Sequence, residues 1–181
     1  MKKIAALVAT ILLMTGCSIT KDLDNTPTKK VEALLNNFQT LDSSVLSDLD
    51  KVVDLETSFT DKQKETYKDI IKTNYQKLTY TIKNAVEDGD EAVVTAEIQV
   101  IDYTKVLNEA DTYLEEHPTE FEADGKYDED KYLDYRLEQL KTAKDKVTYT
   151  LDFTLTKVDE EWTVDNLTNE IRDKINGTYE K

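Results

Sequence analysis

The chain predicts an α+β fold in which helices come first, an antiparallel sheet of about four strands follows, a helical insertion separates two hairpins, and a short helix closes the chain. Three observations carry this. Apolar residues recur at helical spacing from Val31 to Tyr75 and at every second position from Leu78 onward. Two alternating stretches each fold back at a short polar turn, Asp88-Gly89 and Asp159-Glu160. Between the hairpins, Thr104 to Lys146 returns to the helical period.

The chain opens with Lys2 and Lys3, then an apolar run from Ile4 to Met14 broken only by Thr10. Thr15 and Gly16 are small, and Cys17, the one cysteine, follows at once. This is the layout of a secretory signal peptide. The run is too short to cross a ~30 Å hydrocarbon core, which takes about 20 residues. Met14-Thr15-Gly16-Cys17 resembles the lipobox of bacterial lipoproteins, with Met14 where leucine is usual. The resemblance implies a diacylglyceryl group on Cys17, cleavage before it, and an extracytoplasmic domain anchored to the bacterial cell membrane. Two acyl chains satisfy the need for two signals in stable anchoring. Residues 1–16 are then the signal peptide and 17–25 a polar, lipid-anchored linker. A single domain fills 26–181.

Thr26-Pro27 starts the first helix, since Thr caps and Pro suits the first helical position. Val31, Leu34, Leu35, Phe38 and Leu41 form its apolar face. A second helix follows Ser43-Ser44, with Val45, Leu49, Val52 and Val53 on its stripe. A third starts at Thr60, where Gln63 completes a capping box. Its face is Tyr67, Ile70, Ile71 and Tyr75.

The first strand places Leu78, Tyr80, Ile82 and Val86 on one face. Gly89 supplies the positive φ of a tight turn. The second strand turns Val94, Ala96, Ile98 and Val100 one way and Val93, Ile101 and Tyr103 the other. In the later hairpin Val147, Tyr149, Leu151, Phe153 and Leu155 alternate with threonines and Asp152, and Trp162 and Val164 continue the pattern. Threonine suits a half-solvated face, so one side of the sheet packs on helices. The insertion, 104–146, carries one short stripe (Val106, Leu107, Ala110, Leu114) and one longer stripe (Tyr132, Leu133, Leu137, Leu140, Ala143). A connection of this length is more than a hairpin loop, and such loops often carry function. Leu167, Ile171, Ile175 and Tyr179 mark the closing helix.

Composition excludes several functions. The chain holds 23 Lys and Arg against 38 Asp and Glu, a net charge of −15, and its arginines are Arg136 and Arg172. It lacks the clustered cations that neutralise phosphates, so nucleic acid is excluded as a partner. Anionic lipid repels it, which leaves anchoring to the acyl chains. With Cys17 acylated, no disulfide or thiol chemistry remains. No Gly-rich phosphate loop, zinc spacing or nucleophile elbow is present, and no cofactor is expected.

Helices followed by an antiparallel sheet, ending in the hairpin Lys157-Val158-Asp159-Glu160-Glu161-Trp162-Thr163-Val164-Asp165-Asn166, resemble the nuclear transport factor two-like (cystatin-like) fold. Its last hairpin has an acidic or small turn before a Trp-x-Val-Asp strand. The resemblance runs from about Thr26 to Leu167 and implies a curved sheet around a conical cavity. Many small lipoproteins of Gram-positive bacteria carry such domains. Enzymes of the family place an Asp or His in the cavity as general base. The 104–146 insertion departs from the family pattern.

His117, the sole histidine, sits beside Pro118 in the insertion and reads as solvated; Asp152 and Asp102 read as surface carboxylates. Glu120-Phe121-Glu122-Ala123-Asp124-Gly125 begins like a calcium loop, but Lys131 stands where a bidentate Glu is required. It reads as an acidic loop, with Asp124, Asp128 and Asp130 as the residual calcium candidates. Tyr67, Tyr75, Tyr80, Tyr149 and Trp162 are the candidate cavity lining, weighed against filling the core. Two Asn-x-Thr triplets, at Asn166 and Asn176, are taken as chance. The expected function is a non-enzymatic module that binds a protein, peptide or wall component. The alternative is a cavity domain for a small apolar ligand, with lyase or isomerase chemistry third.

Overall fold

The computed structural model describes residues 24–180. The expected signal peptide, 1–16, and Cys17 lie outside the described residues. Helix α1 spans Pro27–Thr40, α2 Ser43–Asp54 and α3 Asp61–Lys77. Strands β1 (Thr79–Asp88) and β2 (Glu91–Ile101) form the first hairpin. The insertion consists of α4 (Tyr103–Glu116), a 3₁₀ turn (Pro118–Phe121), two short strands β3 (Glu122–Ala123) and β4 (Lys126–Tyr127), and α5 (Glu129–Thr142). Strands β5 (Lys146–Val158) and β6 (Glu161–Val164) form the second large hairpin, and α6 (Asn169–Asn176) follows. The curved main sheet has the order β1-β2-β5-β6, antiparallel throughout. This is the α+β class the sequence predicts.

Helices α1, α3 and α6 pack on one face of the sheet, and α2 packs on α3. The core runs through Val31 and Leu35 of α1, Ile70 and Ile71 of α3, Val94, Ala96 and Ile98 of β2, and Leu151, Phe153 and Leu155 of β5. Caps follow the residue types. Thr26 accepts from the Lys29 amide at 3.2 Å, and Thr60 and Gln63 close a reciprocal capping box on α3. The α2 cap is Asp42, one residue before the serines; its carboxylate accepts from the Ser44 amide and hydroxyl and is held below the usual carboxylate range by those bonds.

Several expectations are corrected. Val86 is 58% exposed and lies on the outer face, because a bulge between Ile82 and Asn84 reverses the inside–outside phase of β1. Ile101 and Tyr103 are buried, not on the solvated face. The strand ends at Ile101, and Tyr103 opens α4 with its hydroxyl donating to the Ile70 carbonyl at 3.0 Å. Val52 is 49% exposed beside its buried neighbour Val53. Asn25 donates from Nδ2 to the Glu160 carbonyl at 2.7 Å and accepts from the Trp162 amide at 3.0 Å, so it clasps the β5–β6 turn.

That turn stores strain. Asp159 and Glu160 have φ of +49° and +65°, the left-handed pair a two-residue hairpin loop demands. A left-handed L-residue costs roughly 1–2 kcal/mol, and Glu160 offsets little of it through its exposed pair with Lys157. Replacing the pair by Asn-Gly (Asp159→Asn, Glu160→Gly) is therefore expected to stabilise the fold by about 1 kcal/mol. Chemical denaturation checks this; an unchanged or lower midpoint would mean that the turn relaxes without strain.

Candidate functional site

The helical insertion is tied off at its base. The Asp102 amide donates to the Asp145 carbonyl at 2.9 Å, joining entry to exit, and Lys105 pairs with the Asp145 carboxylate. That pairing holds the Asp145 carboxyl below the usual range. Asp102 also caps α4, accepting from the Lys105 amide at 3.0 Å. It thus serves a helix terminus, and it also borders an open depression beside α4.

Beyond this base the insertion has a small core of its own. Ala110, Phe121, Tyr132 and Leu133 are buried but stand outside the main core cluster. Tyr113 stacks on Tyr135 at 5.1 Å between centroids, and Phe121 meets Tyr132 and Tyr135 edge-on, each at 5.3 Å. Such aromatic pairs contribute about 0.5–1.5 kcal/mol each beyond their area. Tyr132 donates to Asp111, and burial together with that carboxylate pushes its hydroxyl pKa well up. His117 stacks on Tyr113 at 4.3 Å and stays exposed, in keeping with a solvated ring.

Asp124-Gly125 is the turn of the β3–β4 hairpin, with φ of +52° and +74°. The acidic loop expected there is therefore structured. Asp128 caps α5 through the Lys131 amide at 3.2 Å, and Asp130 lies in the first turn of that helix. Asp124, Asp128 and Asp130 thus serve a turn, a cap and a helix dipole. Among the described residues no group of three or more His, Cys, Asp or Glu side chains is arranged to hold a metal ion. Glu115, Glu116, Asp124, Glu129 and Asp130 are exposed at this end of the insertion.

The aromatic residues read as a cavity lining do not share one cavity. Tyr75 and Trp162 are packed in the core, at 5% exposure each. Tyr149 borders an open depression of about 700 Å³ beside α4, with Tyr179 edge-on to it at 5.9 Å. Tyr80 sits near the end of the sheet, its hydroxyl donating to Asn36 at 2.9 Å. Tyr67 alone lines a pocket of about 200 Å³ between α3, α4 and α5. Phe153, Val94 and Ile98 are wholly buried in the core. Asp152, the other candidate base, is on the outer sheet face, accepting from the Thr95 hydroxyl at 2.6 Å.

No protein-family model matches the chain, and no curated protein and no solved structure matches it. No helix among the described residues is long and apolar enough to cross a membrane.

Two structural features carried no sequence signal. Asn74 is fully buried, donates to the Ile175 carbonyl and accepts from the Ile101 amide, both at 2.9 Å. Arg136 faces the same pocket as Tyr67, yet its type alone reads as surface.

Proposed function

We propose that this chain is an extracytoplasmic lipoprotein, held on the membrane by a diacylglyceryl group at Cys17, that binds a protein, peptide or wall component through the end of its helical insertion. The order of charge, apolar run, small residues and cysteine supports the tether. Helices before a curved antiparallel sheet, closed by the Trp162 hairpin, support a nuclear transport factor two-like scaffold. Scaffolds of that kind host unrelated functions, so the function lies in what is added to them.

The observation that carries the interaction reading is the separate packing of the insertion. Its aromatic core around Phe121 stands apart from the main core, so the sheet does not need the far end of α4 and α5. That end presents carboxylates to water and suits a basic partner. Electrostatic steering of such a partner fades above about 0.15 M salt, where the screening length is near 8 Å.

Radiolabelled palmitate is expected to label the protein, and Cys17→Ala to abolish labelling and release the chain from membranes. Full labelling of the variant would end the tether reading. For the interaction, the variant is Glu115→Gln, Glu116→Gln, Asp124→Asn, Glu129→Gln and Asp130→Asn. It spares Asp128, which caps α5, and Glu120, which accepts from the Tyr113 hydroxyl. Partners crosslinked to the native protein on membranes at low salt are expected to fall at least several-fold with this variant. Equal crosslinking would show that the acidic end is only a solvated surface.

A further inference from the structure

The chain has two arginines and 38 acidic residues, yet Arg136 has no carboxylate within ion-pair distance among the described residues. The acids beside it on α5 are engaged elsewhere. Asp134 accepts from Gln63 Nε2 at 2.9 Å, and Glu138 pairs with Lys141 at 2.6 Å. Arg136 Nε is buried with no hydrogen-bond partner. Its compensation from the protein is the Tyr132 ring, 5.7 Å from the guanidinium carbon. A half-buried cation left this way is costly, and an anion beside it removes the cost.

The guanidinium borders the 200 Å³ pocket, whose walls include Phe59, Tyr67, Leu107, Leu133 and Leu137. Phe59 and Tyr67 meet edge-on at 5.6 Å and form one side. The Tyr67 hydroxyl has no hydrogen-bond partner among the described residues. Burial and the Glu56 charge push its pKa up, and the Arg136 charge acts against them, so hydroxyl and guanidinium share one electrostatic environment. Glu56 also borders the pocket and is exposed at its rim. One cation inside and one carboxylate at the mouth suit a monoanion and oppose a dianion such as phosphate. The volume corresponds to about six or seven waters at ~30 Å³ each, which admits a ring or a short chain.

We propose that the pocket between α3, α4 and α5 binds a small monocarboxylate with a compact apolar body. The carboxylate sits on the Arg136 guanidinium and the Tyr67 hydroxyl, and the body lies against Phe59, Leu107 and Leu133. This site is independent of the acidic end of the insertion, and its ligand would stiffen the packing of α5 on α3.

Having only two arginines supplies the test. The full chain, lipid-anchored in nanodiscs, gives two arginine Nε–H resonances in a ¹⁵N spectrum. Arg172, whose Nε donates to the Leu167 carbonyl at 3.3 Å, is the internal reference. Titration with benzoate and hexanoate is expected to shift the Arg136 resonance saturably, in the millimolar range or below, and leave Arg172 in place. Benzamide, neutral and of the same shape, is expected to bind at least ten-fold more weakly. Arg136→Met keeps the packing stem and is followed through the Tyr67 ring signals; it and Tyr67→Phe are each expected to weaken benzoate ten-fold or more. A shift that never saturates, equal movement with benzamide, or unchanged affinity in Arg136→Met with the native fold retained would each overturn the proposal.

Discussion

Phe153→Ala is expected to lower the unfolding free energy by roughly 3–5 kcal/mol, the range for removing a fully buried aromatic side chain. Phe153 is wholly buried on β5, directly across from Val94 of β2, between Leu151 and Leu155 on the same face. Helix α1 covers this part of the sheet through Val31 and Leu35. Its neighbours Val94, Leu151 and Leu155 are themselves buried in the close-packed core, so most of the cavity should persist. For a domain of this size the melting temperature would fall by on the order of 6–20 °C. Val86→Ala is the internal comparison. Simple alternation puts Val86 on the same face as the core, but the bulge turns it outward. Its expected cost is within about 0.5 kcal/mol. Denaturant unfolding of both variants checks the pair. A loss below about 1 kcal/mol for Phe153→Ala, or one above 2 kcal/mol for Val86→Ala, would contradict the placement of the core face.

That pair marks where the sequence is legible and where it stops. Period alone assigns β5, because Val147 to Thr156 alternate in residue type and in burial, and Ala92 to Val100 of the partner strand alternate in burial. It assigns α3 because the Thr60–Gln63 capping box announces the start. It fails within β1, since the bulge falls at residue 83 with no Gly or Pro to signal it. In the insertion a usable signal was present. Asp124-Gly125 between two short strands is a strong two-residue turn, and it competes with the calcium-loop pattern that shares the same acids. The helices of the insertion were legible from their stripes, whereas the aromatic packing of Tyr113, Phe121 and Tyr135 depends on how those helices are set against each other.

Of the pocket residues, Tyr67 is legible as a candidate lining, whereas its meeting with Arg136 is not, for a related reason. Tyr67 and Arg136 lie 69 positions apart and meet only because α5 returns to pack on α3. Nothing local marks an arginine that will lack an acidic partner in so acidic a chain. Asn74 is similar, since its partners lie 101 residues away on α6 and 27 residues away at the end of β2. The lipobox-like run expected at Met14 to Cys17 is the opposite case. It is read wholly from adjacent residues, and the fold of the domain adds nothing to it.

Gly177→Ala is the second large expected effect, at about 3 kcal/mol or more, because three costs coincide at one atom. Gly177 ends α6 with φ of +76°, its amide bonded to Lys174 and the next amide to Asp173, a Schellman cap. An added Cβ carries the left-handed penalty of roughly 1–2 kcal/mol. It also stands 2.1 Å from the Ile101 carbonyl oxygen, backbone that cannot rotate aside. Relief means moving the end of α6 away from β2, and that breaks a third set of contacts. The Gly177 carbonyl accepts from the Tyr103 and Thr104 amides at 2.9 and 3.0 Å, satisfying donors at the start of α4. Each such bond contributes about 0.5–1.5 kcal/mol. Gly125→Ala is the control. It has φ of +74° and nothing within 4 Å of the added carbon, so only the left-handed penalty applies. Denaturation separates the two, and hydrogen exchange localises the damage. Gly177→Ala should strip protection from the Tyr103 and Thr104 amides and loosen the root of the insertion, whereas Gly125→Ala should leave them protected. Equal losses of about 1–2 kcal/mol in both variants, with those amides still slow, would show that α6 yields without strain and that the insertion is not anchored through it.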